Sequence, residues 1–136
     1  MSDSIFMIPR GGIGDLVVST PAIRAVKEAY PHRKIVVVCR HAAERALLQN
    51  NPYVDSIELR SRRWTHWVTV TFYKEILRRE CVHLHFTYVA VGLIYDQGVV
   101  EIVPQIFDVP LKEKKIQLFF TRVEEERARR SLSPYR

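Results

Sequence analysis

The residues best suited to chemistry lie in the segment 9–15, PRGGIGD, where three glycines precede a carboxylate. Glycine lets a backbone turn sharply and approach a ligand closely. A helix that follows such a loop offers unpaired N–H groups and a positive dipole end to an anion. The carboxylate, Asp15, can cap that helix or accept a proton from a sugar hydroxyl as a general base. The segment therefore indicates a ligand-binding loop that carries one acid–base group.

Two common phosphate-binding motifs do not fit this loop. A dinucleotide-binding site needs G-x-G-x-x-G and an acidic residue at the end of the second strand, but here that strand ends in Cys39 followed by Arg40. A P-loop needs Lys and then Ser or Thr after its last glycine, whereas Gly14 is followed by Asp15. A tight turn that only packs a helix on a strand remains an alternative.

The first 60 residues predict alternating strands and helices. Apolar, β-branched runs at 4–9 and 34–39 are typical of buried parallel strands, and 54–59 alternates as a third strand. Helical patterns follow the glycine loop and occupy 42–49, with Thr20 and Pro21 interrupting or restarting the first helix. This order predicts an α/β fold, a Rossmann-like parallel sheet with flanking helices.

The second half of the chain gives weaker signals. Residues 64–79 predict either one helix or a strand at 68–72 followed by a helix, and 81–86 predicts a strand. A helix over 98–107, kinked at a proline, and a short strand over 116–120 are expected next. Thr121 and Glu124 form a capping-box pattern that starts a last helix.

Composition excludes several classes of protein. No apolar stretch of the 136 residues approaches the roughly 20 needed to span a bilayer, and the polar start lacks a signal peptide, so a cytoplasmic location is expected. Cys39 and Cys81 are predicted to be buried thiols. The net charge of +6 favours anionic partners. A nucleic-acid partner is not expected, because no reading motif accompanies the charge.

Three segments resemble one enzyme family. They are the glycine loop with TPAI at 20–23 and KEAYP at 27–31, the NPYVD turn at 51–55, and the final VP at 109–110 with the TRVEEE helix. All three are similar to segments of glycosyltransferase family 9, the lipopolysaccharide heptosyltransferases. Residues 61–100 show no clear likeness. The resemblance implies the N-terminal, acceptor-binding half of a GT-B enzyme, here a single domain over 1–136 without its donor-binding C-terminal domain.

The resemblance also implies a mechanism. Such enzymes transfer a sugar, typically from ADP-heptose, to an anionic glycolipid acceptor of the lipopolysaccharide core, with inversion and without a metal or other cofactor. Asp15 occupies the position of the family's proposed base. Arg10 stands one place later than the basic residue that members often carry before their glycines. The isolated chain is expected to be inactive, because catalysis needs both substrates held in place.

Substrate-binding roles are predicted for Arg10, Gly11, Gly12, Gly14 and Thr20, and for Arg62 and Arg63 after the third strand. The arginines suit bidentate contacts with phosphate, although a solvated basic loop is an alternative. Thr20 is equally suited to start a helix. A cluster of His66, His83 and His85 is not expected to bind metal, because no further ligand completes the set.

Two other functions remain alternatives. The chain could be a non-catalytic Rossmann-like module that binds a phosphorylated ligand or a partner protein. Self-association and peripheral contact with the inner face of the membrane are further expectations, since a domain without its partner would expose an apolar interface.

Overall fold

A computed structural model describes residues 3–60, 63–84, 87–90, 93–98, 107–113 and 115–135. Its central sheet contains β1 (Ser4–Pro9), β2 (Lys34–Cys39), β3 (Ser56–Leu59) and β4 (Glu80–Leu84). The strands lie in the order β3-β2-β1-β4, and every neighbouring pair is parallel. The predicted α/β fold with an open parallel sheet is confirmed, and the first two strands have the predicted bounds.

Helices connect these strands. In chain order they are α1 (Ile13–Val18), α2 (Thr20–Ala29), α3 (Ala42–Leu48), α4 (His66–Thr71) and α5 (Arg122–Leu132). The chain continues from α4 as a π-helical segment, Phe72–Ile76, and from α5 as a 3₁₀ turn, Ser133–Tyr135. An antiparallel hairpin of β5 (Thr87–Ala90) and β6 (Leu93–Gly98) follows β4.

The two central strands, β1 and β2, are buried on both faces, which explains why they are continuous apolar runs, whereas the edge strand β3 is mostly exposed. Ile5 and Met7 of β1 point to the face covered by α2, whereas Phe6 and Ile8 point to the opposite face. On the first face the core includes Leu16, Ile23, Val26, Ile35, Val37, Leu48, Val82, Leu84 and Phe107. On the second it includes Val36, Val38, Val70 and Tyr73. Alternate side chains of the strands thus pack against the helices on opposite faces of the sheet, and this packing holds the loops at the strand ends in place.

Three sequence-based expectations are wrong in part. Residues 68–72 are helical, so the strand alternative for this segment fails. No strand forms over 116–120, because Ile116, Leu118 and Phe120 lie exposed rather than against a sheet. Gly98 is the last residue of β6 and does not begin a helix, while 99–106 of that predicted helix lie outside the described residues.

The predicted capping box of the last helix is confirmed, and of the two cysteines predicted to be buried only Cys39 is fully buried. The Thr121 hydroxyl accepts from the Glu124 N–H, and the Glu124 carboxylate accepts from the Thr121 N–H, which completes the capping box. Cys39 is buried, Cys81 is half-buried, and neither forms a disulfide. Burial raises the pKa of Cys39 to about 12 and that of Cys81 to about 11, so both thiols stay protonated at neutral pH. None of the described helices has the length and apolarity to cross a membrane.

Candidate functional site

The glycine loop lies where the order of the strands reverses. Strand β1 has β2 on one side and β4, reached much later in the chain, on the other. Crossover connections leave in opposite directions from such a point, which opens a crevice at the carboxyl ends of the strands. The loop after Pro9 therefore borders the part of the sheet where open α/β proteins bind their ligands.

Gly11 is required by the geometry of this loop. Its φ is +119°, a conformation that residues with a side chain rarely adopt, and a Cβ there would lie 2.0 Å from Asp15 Oδ2. Gly12 and Gly14 are different, since a Cβ at either position would meet no atom within 4 Å. These two glycines leave open space around the loop, and only Gly11 is demanded by the fold itself.

Asp15 lies inside the first helix and not before it. Helix α1 begins at Ile13, so Gly14 and Asp15 both belong to its first turn, whereas the sequence suggested a helix starting after Asp15. Its Oδ2 accepts a hydrogen bond from the Gly12 N–H at 3.0 Å, because a carboxylate in the first turn can reach back to an unpaired donor. Its second oxygen, Oδ1, forms no hydrogen bond with the residues that the structure describes. That oxygen remains able to accept a proton or a hydroxyl hydrogen.

An arginine directly follows each of three adjacent strands. Arg10, Arg40 and Arg60 come after β1, β2 and β3, and the strand register places the three strand ends level. Arg10 is exposed, with its guanidinium carbon 5.4 Å from the centre of the Trp67 ring. Positive charge is thereby concentrated along the same edge as Asp15.

Arg40 contacts the glycine loop directly. Its Nη2 donates to the Gly11 carbonyl oxygen at 3.3 Å, and its Nε donates to His41 Nε2 at 2.8 Å. No role was predicted for Arg40 from the sequence. Its position directly after β2, which matches that of Arg10 directly after β1, is the sequence feature that indicates one.

Glu44 fixes the turn in which Arg40 lies. The residue is only 2% exposed, and its Oε2 accepts from the backbone N–H of Arg40 at 2.6 Å and of His41 at 3.4 Å. A buried carboxylate needs such donors to offset its lost hydration. Glu44 therefore sets where the Arg40 side chain leaves the backbone.

Arg60 is buried, whereas Arg10 is exposed and Arg40 is half-buried. It is 8% exposed, and its Nη1 donates to the Thr69 hydroxyl at 2.6 Å, which joins α4 to the end of β3. Its buried Nε has no hydrogen-bond partner. Burial, and then the nearby charge of Arg40, lower the pKa of Arg60. Its guanidinium is thus enclosed in the fold rather than presented to a ligand.

Of the other predicted binding residues, Thr20 is enclosed by the fold. Thr20 is 3% exposed; its hydroxyl donates to the Val17 carbonyl at 2.8 Å and accepts from the Gln117 N–H at 3.4 Å. Ser19, and not Thr20, is the N-cap of α2. The buried, hydrogen-bonded hydroxyl favours a structural role for Thr20, but its predicted role as the N-cap is wrong. Arg63 is exposed, and Arg62 lies outside the described residues.

Among the described residues, no group of three or more His, Cys, Asp or Glu side chains has a geometry that could hold a metal ion. His66 is at the start of α4, packed edge-on against Trp67. The His83 side chain and the whole of His85 are outside the described residues, so the proposed pairing of these two is not tested.

Comparison with known proteins supports the fold. Neither the family models nor the curated proteins include a match to this chain. Among solved structures, it is similar to a glycosyl transferase family 9 protein from Veillonella parvula DSM 2008, with a TM-score of 0.66 and 12% identity. The alignment covers 97% of this chain and 49% of the other, so the chain spans about half the length of that protein. At this identity the likeness establishes a shared fold.

Proposed function

We propose that this chain is the acceptor-binding half of a heptosyltransferase-like glycosyltransferase. The complete enzyme would transfer a sugar from a nucleotide sugar such as ADP-heptose to an anionic glycolipid of the lipopolysaccharide core. One observation carries the proposal: Asp15, whose Oδ1 bonds none of the described residues, lies at the carboxyl edge of the sheet beside exposed basic side chains. The fold shared with a family 9 glycosyl transferase supports it.

Asp15 would serve as the general base. Its free Oδ1 would accept the proton of an acceptor hydroxyl while that oxygen attacks the anomeric carbon of the sugar. The new C–O bond forms as the bond to the nucleotide diphosphate breaks, and the diphosphate leaves with the bonding electrons. Attack from the face opposite the leaving group inverts the anomeric centre. No metal ion takes part in this scheme.

The acceptor would lie along the basic edge. Arg10 and Arg63 are exposed and suited to acceptor phosphates, with Arg62 expected to join them. Trp67 is 61% exposed next to Arg10, so its indole would add aromatic surface to this edge for contact with a sugar. Gly12 and Gly14 would let a ligand approach the loop backbone. An exposed aromatic beside arginines also suits peripheral contact with the inner face of an anionic membrane.

The donor site would belong to a second domain. The chain aligns with only half of the family 9 structure, and its described residues include neither a dinucleotide fingerprint nor a P-loop. We therefore expect no sugar transfer by this chain alone. Exposed apolar side chains near its end, including Phe120, Val123 and Leu132, fit an interface with another domain or a second copy.

The proposal is tested by NMR titration of the ¹⁵N-labelled chain. A phosphorylated core oligosaccharide should shift amide signals at 10–16 and 40–41, whereas ADP-heptose should leave them in place. Removing one charge-assisted contact with Arg10→Ala should weaken saccharide binding about tenfold. The matched control, Arg129→Ala on the exposed face of α5, should not.

Two outcomes would contradict the proposal. Preferential binding of ADP-heptose at the glycine loop would assign the donor to this half. Binding of inorganic phosphate as tightly as the saccharide would favour the alternative, a module that binds phosphorylated ligands without catalysis. In an enzyme containing both halves, Asp15→Asn should lower kcat by roughly 10²–10⁴ and leave the acceptor KM nearly unchanged.

A further inference from the structure

The peptide group between Gly11 and Gly12 is held at both of its polar ends. Its carbonyl oxygen accepts from Arg40 Nη2 at 3.3 Å. Its N–H donates to Asp15 Oδ2 at 3.0 Å. Both bonds therefore act on one rigid plane, because a peptide unit is planar and rotates only as a whole about its flanking bonds.

This plane needs an external restraint. A glycine at φ +119° has no side chain to limit its neighbouring torsions, and the peptide beyond it can flip at low cost. A flip would point the Gly12 N–H away from Asp15 and turn the Gly11 carbonyl oxygen toward the carboxylate. The partial negative charge of that oxygen would then repel the carboxylate. The Arg40 contact favours the orientation in which the N–H faces Asp15.

Arg40 is itself held by two separate contacts. Its backbone N–H donates to the buried carboxylate of Glu44 at 2.6 Å, and its Nε donates to His41 Nε2 at 2.8 Å. The guanidinium therefore approaches the loop from a fixed point on the neighbouring strand. A charged donor also forms a stronger bond to a carbonyl than a neutral one.

We propose that Arg40 is a positioning residue for Asp15, acting through the Gly11–Gly12 peptide. By fixing that peptide it commits Asp15 Oδ2 to the Gly12 N–H and leaves Oδ1 outside that bond. The inference rests on the proposed function only for what Oδ1 then does. The mechanical link from Arg40 to Asp15 stands independently of any substrate.

The link is tested by NMR on the labelled chain without ligand. The Gly12 amide proton bonds the Asp15 carboxylate, so its chemical shift should change when Asp15 is replaced by alanine in the same background. Arg40→Met keeps the apolar stem of the side chain but removes every donor, and should reduce that change by roughly half or more. Arg40→Lys restores one cationic donor and should recover most of it. Arg45→Met, an exposed arginine of α3, should leave it as in the wild type.

These variants separate a donor role from packing. A Gly12 response that is reduced in Arg40→Met and restored in Arg40→Lys supports the proposal, since the two side chains fill similar space. An unchanged Gly12 response in Arg40→Met overturns it, as does an equal loss in Arg45→Met, which would indicate a general charge effect.

A measurement on the wild-type chain covers the case in which Arg40→Met does not fold. Rotation about the Cζ–Nε bond of Arg40 should be at least about tenfold slower than that of Arg45, because its donors are bonded on two sides. Equal rates overturn the proposal. Neither measurement involves a sugar, so a failed link and a failed enzymatic role for Asp15 give different results.

Discussion

Replacing Gly11 with alanine tests the geometry of the loop most directly. The new Cβ would lie 2.0 Å from Asp15 Oδ2, on a backbone with φ of +119°. The Asp15 carboxylate can rotate away from the Cβ, but it then loses the Gly12 N–H, which costs about 1 kcal/mol. The backbone strain cannot be relieved in this way and costs about 1–3 kcal/mol. Gly11→Ala should therefore destabilise the chain by about 2–4 kcal/mol.

The matched control is Gly14→Ala. Gly14 lies in the first turn of α1, and a Cβ there meets nothing within 4 Å. Alanine is a better helix former than glycine, so this variant should be as stable as the wild type or more stable by up to about 1 kcal/mol. Chemical denaturation followed by circular dichroism gives both values. In a thermal scan, Gly11→Ala should lower Tm by roughly 8–16 °C for a domain of this size.

A double variant separates strain from contact. If part of the cost of Gly11→Ala comes from displacing the Asp15 carboxylate, that part disappears when Asp15 is already alanine. The two substitutions together should then cost about 1 kcal/mol less than the sum of their separate effects. Equal effects of Gly11→Ala and Gly14→Ala, or a cost below about 0.5 kcal/mol for Gly11→Ala, would refute the assigned geometry.

Two further predictions concern ion pairs and buried charge. Thr69→Val should lower the free energy of unfolding by about 1–3 kcal/mol in urea denaturation, because it leaves Arg60 Nη1 buried without an acceptor. Arg60→Met removes the buried charge together with its donors and should be nearly neutral. A larger loss of stability in Arg60→Met than in Thr69→Val would contradict this explanation. For Asp55, burial opposes ionisation, but hydrogen bonds from Lys27 and the Ile35 N–H outweigh it and lower its pKa. Its ionised form therefore stabilises the fold above the ordinary carboxyl pKa, and this contribution is lost as pH falls through the lowered value. Asp55→Asn should flatten the acid limb of stability against pH, and an unchanged limb would exclude the assignment.

The turn at 51–55 shows why much of the fold was predictable. Asn51 is buried, and its Oδ1 accepts from the Tyr53 N–H at 2.9 Å. Asp55 Oδ2 accepts from the Ile35 N–H at 2.7 Å and from Lys27 Nζ at 2.8 Å. The Asn51 contact is local, whereas the Asp55 contacts reach 28 positions back to Lys27 and 20 positions back to Ile35. The turn itself was visible in sequence because it depends on near neighbours, but its ties to α2 and β2 follow only from the fold.

Features that depend on distant contacts were less predictable. The apolar residues of 116–120 have strand character, but no strand of the described sheet lies beside them. Arg60 follows the third strand, where the sequence predicts ligand-binding arginines, but it is enclosed, because α4 covers it with Thr69. Arg40 looked like an ordinary end of a strand, and its contact with Gly11, 29 positions away, appears only once β1 and β2 are paired.

The placement of Asp15 bears on the two functions proposed for this chain. A carboxylate beside the loop caps α1, but it would weaken the binding of a phosphate there, because like charges repel and the carboxylate competes for the same N–H donors. Here Asp15 already occupies the Gly12 N–H, while Arg10 and Arg40 supply positive charge on the neighbouring strand ends. An anionic ligand is best accommodated when its charged groups lie on the arginines and a neutral hydroxyl faces the carboxylate. That division suits a phosphorylated sugar acceptor with a reacting hydroxyl, and it favours transfer over simple anion binding.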